Sequence, residues 1–428
     1  MVPMSFDHLS LYLSILQFAS TILVLLILIF SRLATSSWLR KALPDFPSGT
    51  VDLPNITLVI PTWNEELIIE EKLAEISSQD YPNELLEVII IDANSQDSTV
   101  DLAKKWISQN NKKMQLDFKI IVEEERKGKS SSINRAFSEA SADSEILMMS
   151  DVDCRLSDGS LRRIGTWFSN EEIGAVTGRQ VLINREKSSH VAHEENYRDF
   201  YTSARIAESR LDSTPIFHGE CSAFRRSAIE GFKLIENSNA DDSQMAVAVR
   251  KSGFRAIYDS ELEFFEMAPP DGNSSRIQKV RRAQGLVRHF WRNKNLVFDG
   301  KMHNFRKIIA LELSLHILLP ILVIIGFISG FSHLALFFSV NGPQGIFSGS
   351  NEMIEHIMIV ADSVVILLLF CGLLKLPVPA SSLSLSFLKY MAILLEAILL
   401  AVLGKSLHKW QQVPAVREAL AIHDRENA

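Results

Sequence analysis

The chain has 428 residues, 47% hydrophobic and 22% charged, with a formal net charge of −7 at pH 7. Its three cysteines, Cys154, Cys221 and Cys371, show neither CxxC spacing nor a paired framework, which excludes a disulfide scaffold and suits a reducing compartment. The length exceeds one ordinary domain, and no nucleic-acid partner is expected.

The first element is an uncharged apolar run, residues 9–30. A helix rises about 1.5 Å per residue, so roughly 20 apolar residues cross a bilayer. No small-residue cleavage site follows, so residues 1–31 are read as a retained N-terminal anchor rather than a removed signal. Next come "NITLVIP" (55–61), a buried strand, and a helix over 66–78 with Leu67, Ile68, Leu73 and Ile76 on one face. "LEVIIIDANSQDST" gives a second strand and a polar turn, and 99–109 a helix. "FKIIVEEE" is a third strand, "KGKSSSINRAFSEA" opens a helix after a glycine, and "EILMMSDVD" is a fourth strand. Strands with continuous apolar runs, alternating with helices, predict a mainly parallel sheet covered on both faces. In such sheets ligands bind beyond the carboxyl ends of the strands. That places Asp92, the Asp151/Asp153 pair and "TWNEE" at a binding edge. There is no Gly-x-Gly-x-x-Gly and no Walker sequence, so the usual dinucleotide and P-loop readings have no support.

This domain is assigned to residues 50–275. Residues 276–307 then hold ten Lys or Arg against one acid, Asp299. Residues 308–404 contain about three further spans: 313–340, which Pro320 is expected to kink; 354–374, interrupted by Asp362; and 383–404, interrupted by Lys389 and Glu396. Positive residues flanking spans, including Arg32, Arg40 and Lys41, place the middle domain in the cytoplasm of a cell-membrane protein. Four spans then leave the C-terminus outside, whereas Lys405, Lys409, Arg417 and Arg425 in the 405–428 tail suit the inside. A re-entrant or interfacial segment, or a double crossing over 313–340, would remove the conflict. Acids inside apolar segments, Asp362 and Glu396, face protein or water, or lie near an interface.

Several groups can carry chemistry. Asp92 can accept hydrogen bonds from a base or ribose, or can tie its own turn. Arg126, Lys127 and Lys129 surround Gly128 where a helix begins, an arrangement that suits a diphosphate and equally a solvated turn. Asp151 and Asp153 offer hard oxygen ligands for Mg²⁺ or Mn²⁺, with the other carboxylate free for a ribose or basic partner. Asp241 and Asp242 precede a helical stretch, one able to act as a base and the other to cap the helix. Gln278 with Arg281, or with Arg282, shares a helix face. An arginine there can stabilise a leaving diphosphate, or lie on anionic lipid.

In order, "IPTWNEE", "IIIDANSQDST", "KGKSSSIN", "DVD", "GECSAFRRSAI", "ADDSQM" and "QKVRR", flanked by membrane segments, resemble membrane-bound family 2 glycosyltransferases, relatives of cellulose and hyaluronan synthases. The resemblance covers roughly residues 54–292. It implies an α/β GT-A nucleotide-sugar domain, Rossmann-like, joined to α-helical membrane segments, and an inverting mechanism. By it, Pro61, Thr62, Asn64 and Glu65 line the nucleotide pocket, Asp92 holds the base or ribose, and Lys129 lies near the base or diphosphate. Asp151 and Asp153 match the D-x-D pair, with Asp153 the direct ligand of Mg²⁺ or Mn²⁺ and Asp151 turned to ribose or a basic neighbour. Gly219 and Glu220 match the acceptor-side loop, where Gly219 allows close approach. Asp242 matches the catalytic base and Asp241 the acid before it. Gln278 and Arg281 match the Gln-x-x-Arg-Trp motif.

The tryptophan of that motif is replaced by Arg282. Arginine stacks but also favours phosphate, which argues for a lipid-linked or otherwise anionic acceptor and against processive synthesis. The expected activity is metal-dependent transfer from a UDP- or GDP-sugar to a lipid-linked or glycan acceptor at the bilayer. The alternatives are a processive polysaccharide synthase and an inactive nucleotide-sensing membrane subunit.

Overall fold

The computed structural model describes residues 6–184, 201–269, 272–342, 353–374, 376, 378–407 and 412–427. Lys409, one of the tail cations, lies outside them. The chain forms two compact units, one of Met1–Ala34 with Ala310–Gly404, the other of Thr35–Ile309 with Lys405–Ala428. The second unit contains every site residue named above. It also takes in the tail that the sequence set apart.

Helix α1 (Phe6–Trp38) carries the first apolar run well past residue 31. The second unit then lays down β1 (Ile56–Thr62), α2 (Ile69–Ser77), β2 (Leu86–Asp92), α3 (Thr99–Met114), β3 (Asp117–Val122), α4 (Lys129–Ser138) and β4 (Ile146–Met149). After these come β5 (Cys154–Leu156), α5 (Ser160–Trp167), β6 (Ile173–Leu182), a helix α6 over 201–211, β7 (Ser222–Arg225), α7 (Asp241–Lys251), β8 (Arg255–Glu266) and α8 (Gly272–Asn293). The eight strands form one sheet in the order β3-β2-β1-β4-β7-β6-β8-β5.

The first four strands are parallel, and their continuous apolar runs have a simple cause. Alternate side chains point to opposite faces, and both faces are covered. Ile56, Leu58, Ile60, Val88, Ile90, Ile146 and Met148 join one core with Ile69, Leu73 and Ile76 of α2. Val59, Ile89, Ile91, Leu147 and Met149 join a second core with Ile133 of α4 and Met245 of α7. Each such aliphatic side chain, fully buried, contributes about 1.5–3 kcal/mol. Beyond β4 the sheet turns mixed: β7 runs antiparallel to both β4 and β6, and β5 antiparallel to β8. Strand order reverses between β1 and β4, with β1 leading to its neighbour β2 on one side and β4 added on the other. A crevice opens at such a switch point beyond the strand ends.

In the first unit, α9 (Phe305–Leu313) runs through a π turn at Ser314–Leu318 into α10 (Leu319–Asn341), followed by α11 (Met353–Leu373) and α12 (Ser381–Val402). The π turn sits just before Pro320, which lacks the N–H that would bond one turn back. The stretch is one continuous helical span rather than two crossings. Among the described residues, four helices are long and apolar enough to cross a membrane: His8–Trp38, Phe305–Val340, His356–Leu373 and Ser381–Val402. Asp362 is not solitary in its apolar segment, since its carboxylate accepts from the Gln17 amide of α1. Helix α13 (Pro414–Asn427) returns to the second unit and adds Leu420 and Ala421 to its first core.

Candidate active site

The carboxyl ends of β1, β2 and β4 are stitched together before any ligand is considered. Asp92 is fully buried. Its carboxylate accepts from the Ser95 amide at 2.8 Å, the Ser95 hydroxyl at 2.5 Å and Thr62 Oγ1 at 3.0 Å. Both oxygens are thus engaged in fixing the turn after β2, the second of the two roles open to it from sequence. Thr62, next to Pro61 at the end of β1, is part of the same lock. Asn64 adopts φ +54° and exchanges bonds with Ser95 and Gln96, so its side chain holds this turn too. Trp63 lies under the Arg126 guanidinium, 3.4 Å from the ring centroid.

The Asp151/Asp153 turn is held from beneath by Lys72. This lysine is fully buried, and its ammonium donates to Ser150 Oγ at 2.9 Å, the Cys154 carbonyl at 3.1 Å and Glu75 at 2.9 Å. Above the turn, Lys129 Nζ lies 2.6 Å from Asp151 Oδ1 and 3.8 Å from Asp241 Oδ2. It gets there because Gly128, at φ +114°, turns the chain so that α4 starts at Lys129. Burial opposes its charge, but Asp151, Asp241 and Glu220 outweigh burial and hold the ammonium firmly protonated. Gly219 leaves room for it: a Cβ there would stand 2.7 Å from Lys129 Nζ and push that side-chain end aside.

The two members of the D-x-D pair differ. Burial pushes the Asp151 carboxyl up, against the pull of Lys129. Burial acts the same way on Asp153, but Arg417 and then Lys129 prevail and hold it below the ordinary carboxylate range. Arg417 Nη1 is 2.8 Å from Asp153, and its Nε and Nη2 form a fork on Glu65, each 3.0 Å from an oxygen. Arg417 is a site residue that the sequence reading counted only as a tail cation. Its one signal is the apolar spacing of Val416, Leu420 and Ala421, which marks a helix with a face to bury.

Asp241 and Asp242 open α7, preceded by Ala240 at φ +62°. Burial, then the neighbouring Asp241 carboxylate, pushes Asp242 up to about 8. From α8, Arg281 is pulled down to about 10 by burial and then by Arg282. Gln278, three residues earlier on the same helix, is half-buried. Arg282 does not present a free cation for a phosphate. It pairs with Glu220 at 2.9 Å and with Glu266, at the end of β8, at 3.5 Å. Two buried acids thus balance its charge before any acceptor is bound.

A divalent cation fits the donor set. Asp151 and Asp153 supply hard anionic oxygens, and the buried Asp151 Oδ1 makes no hydrogen bond of good geometry although Lys129 faces it. Among the described residues no group of three or more His, Cys, Asp or Glu is placed to hold a metal ion by itself. Remaining ligands would come from water and a diphosphate, as Mg²⁺ and Mn²⁺ commonly accept. The site therefore combines the Lys129 and Arg281 cations, carboxylates suited to a hard metal, and one carboxyl poised near neutrality.

Two family models match the chain: glycosyl transferase family 2 over residues 57–232 and glycosyl transferase family group 2 over residues 146–403. The chain is a family 2 glycosyltransferase. It is 25% identical over 279 residues to a probable glycosyltransferase, YdaM, of Bacillus subtilis, covering 61% of this chain and 64% of that one. It is also 25% identical over 260 residues to poly-beta-1,6-N-acetyl-D-glucosamine synthase of Staphylococcus aureus, covering 59% and 61%. The chain thus spans less than two thirds of these relatives. The mannosyltransferase PcManGT of Pyrobaculum calidifontis, solved with GDP-Man and Mn²⁺, superposes with TM-score 0.70 at 26% identity, covering 93% of this chain and 99% of that one. The fold of this glycosyltransferase is GT-A. Membership of a transferase family sets aside the inactive-subunit alternative.

Proposed function

We propose that this glycosyltransferase moves one sugar from a UDP- or GDP-sugar to the hydroxyl of a membrane-associated glycan or lipid-linked acceptor, with inversion at the anomeric carbon. The observation that carries the reading is Lys129, set between the Asp151/Asp153 turn and the Asp241/Asp242 helix start. One ammonium joins the part of the pocket suited to a diphosphate to the part suited to proton transfer. Asp242 takes the proton of the acceptor hydroxyl, and its raised basicity suits that task near neutral pH. Acceptor oxygen bonds to the anomeric carbon as the bond to the diphosphate breaks. Lys129 and Arg281 face the charge that builds on the leaving group. Asp153 and Asp151 would hold Mg²⁺ or Mn²⁺, which when bound supplies Lewis-acid stabilisation of that diphosphate. The PcManGT complex supports the metal and the guanosine donor by analogy. The basic 276–307 segment and Arg32, Arg40 and Lys41 support a cell-membrane protein with its catalytic unit in the cytoplasm.

Processive synthesis is the second reading, and the Staphylococcus aureus polysaccharide synthase favours it. Full-length protein in lipid nanodiscs, given radiolabelled UDP- and GDP-sugars with Mn²⁺ and membrane extract, separates the two. Label in organic-extractable or short glycan product supports single transfer; label in high-mass polymer supports the synthase. No transfer from any donor contradicts both.

A further inference from the structure

The tail helix α13 lies beyond both matched family regions, which end at residues 232 and 403, yet it is part of the donor pocket. Three kinds of contact fix it there. Leu420 and Ala421 enter the first core, and Arg155 of β5 pairs with Asp424 at 2.7 Å. Gln412 just before the helix donates to the carbonyls of Trp63, at 2.7 Å, and Asn64. The anchoring brings Arg417, whose side chain is only 5% exposed, onto Glu65 and Asp153 together. The fork on Glu65 uses Nε and Nη2, leaving Nη1 for Asp153. One arginine thus has a fixed anchor and an exchangeable contact. The exchangeable contact is a carboxylate that a hard cation would also claim.

We propose that Arg417 is a donor-site positioning residue shared between Asp153 and the donor diphosphate. Without a divalent ion it neutralises Asp153; once Asp153 is claimed, the same Nη1 group turns to the phosphate oxygens while Glu65 keeps the guanidinium in place. Guanidinium forks suit both carboxylate and phosphate, so the exchange costs little geometry. The inference rests on the reading of Asp153 as a metal ligand.

The consequence is a pair of opposite shifts, which a merely structural ion pair would not produce. In the full-length detergent-solubilised protein, Arg417→Gln should bind Mn²⁺ alone about threefold or more tighter, read from the free Mn²⁺ resonance, because a cation no longer competes for Asp153. The same variant should bind GDP and UDP in saturating Mn²⁺ about threefold or more weaker, having lost a phosphate contact. Arg417→Lys should restore nucleotide affinity in part. Because Arg417→Gln leaves Glu65 buried without its fork, Asp424→Asn provides a second route. It releases the Arg155 contact without touching the pocket, and should move both affinities in the same two directions by less. Unchanged affinities, or shifts of one sign in both, overturn the inference. Mn²⁺ binding that Asp153→Asn abolishes while Arg417→Gln leaves it at the wild-type value overturns it while sparing the metal reading. No Mn²⁺ binding by wild type or variants overturns both.

Discussion

Two carboxylate pairs share this pocket, and one member of each, Asp153 and Asp242, is treated in the opposite way. Asp153 has a guanidinium at 2.8 Å and stays ionised despite burial, whereas Asp242 has an acidic neighbour and is pushed up to about 8. Lys129 touches one member of each pair, but 1.2 Å closer to Asp151 than to Asp241, from 2.6 and 3.8 Å. Burial pushes Asp153 and Asp242 the same way, and the sign of the neighbouring charge separates them. At Asp151 burial prevails although Lys129 lies 2.6 Å away. A carboxylate held ionised suits a metal cation, and one held near neutrality suits proton transfer. The sequence offers the two pairs as similar motifs, and only their surroundings separate them.

The comparison can be broken in several ways. The largest effect is expected from Asp242→Asn, which removes the base. Turnover should fall about 10²- to 10⁴-fold while nucleotide-sugar affinity, measured by calorimetry, stays close to wild type. Lys72→Ala should act on the other pair through its support. Leaving Glu75 and the Ser150–Cys154 turn without their buried cation should cost about 3–5 kcal/mol, seen as a lower midpoint in denaturant unfolding. Smaller still, Gly219→Ala would press on Lys129 Nζ. Its far end can shift, so the fold should survive, with a rise in donor KM of about tenfold for a displaced charge-assisted contact of roughly 1.4 kcal/mol.

How much was legible follows the same physics. Strands β1, β2 and β4 could be read because each is buried on both faces, leaving unbroken apolar runs such as Val88–Ile91. Strand β3, an edge strand with Val122 exposed, was read from its run of Ile120, Ile121 and Val122. Strands β5 and β7 are three and four residues long, too short for a period to show. In β8, Asp259 interrupts the pattern, although the structure buries it against Arg163 and Trp167. The acids of the site were legible because they end strands or begin a helix. Asp92 was found by the same rule, although its oxygens turn inward to Ser95 and Thr62. Arg417 was not legible as a site residue. It meets Glu65 across 352 residues of chain, and a lone tail cation gives no sign of which pocket it enters. The ion pairs of Arg282 were hidden for a related reason, since its partners Glu220 and Glu266 come from separate parts of the chain.

The contrast between the pairs is tested most directly by the pH dependence of kcat/KM, which reports the free enzyme. Asp242 must lose its proton to act. Activity of the wild type should therefore climb about tenfold per pH unit on the acid side and level off near 8. Asp241→Asn removes the neighbouring charge that raises Asp242, so the plateau should begin at lower pH. A flat profile from about pH 6 to 9, or a limb that Asp241→Asn leaves in place, would contradict the assignment of Asp242 as the base.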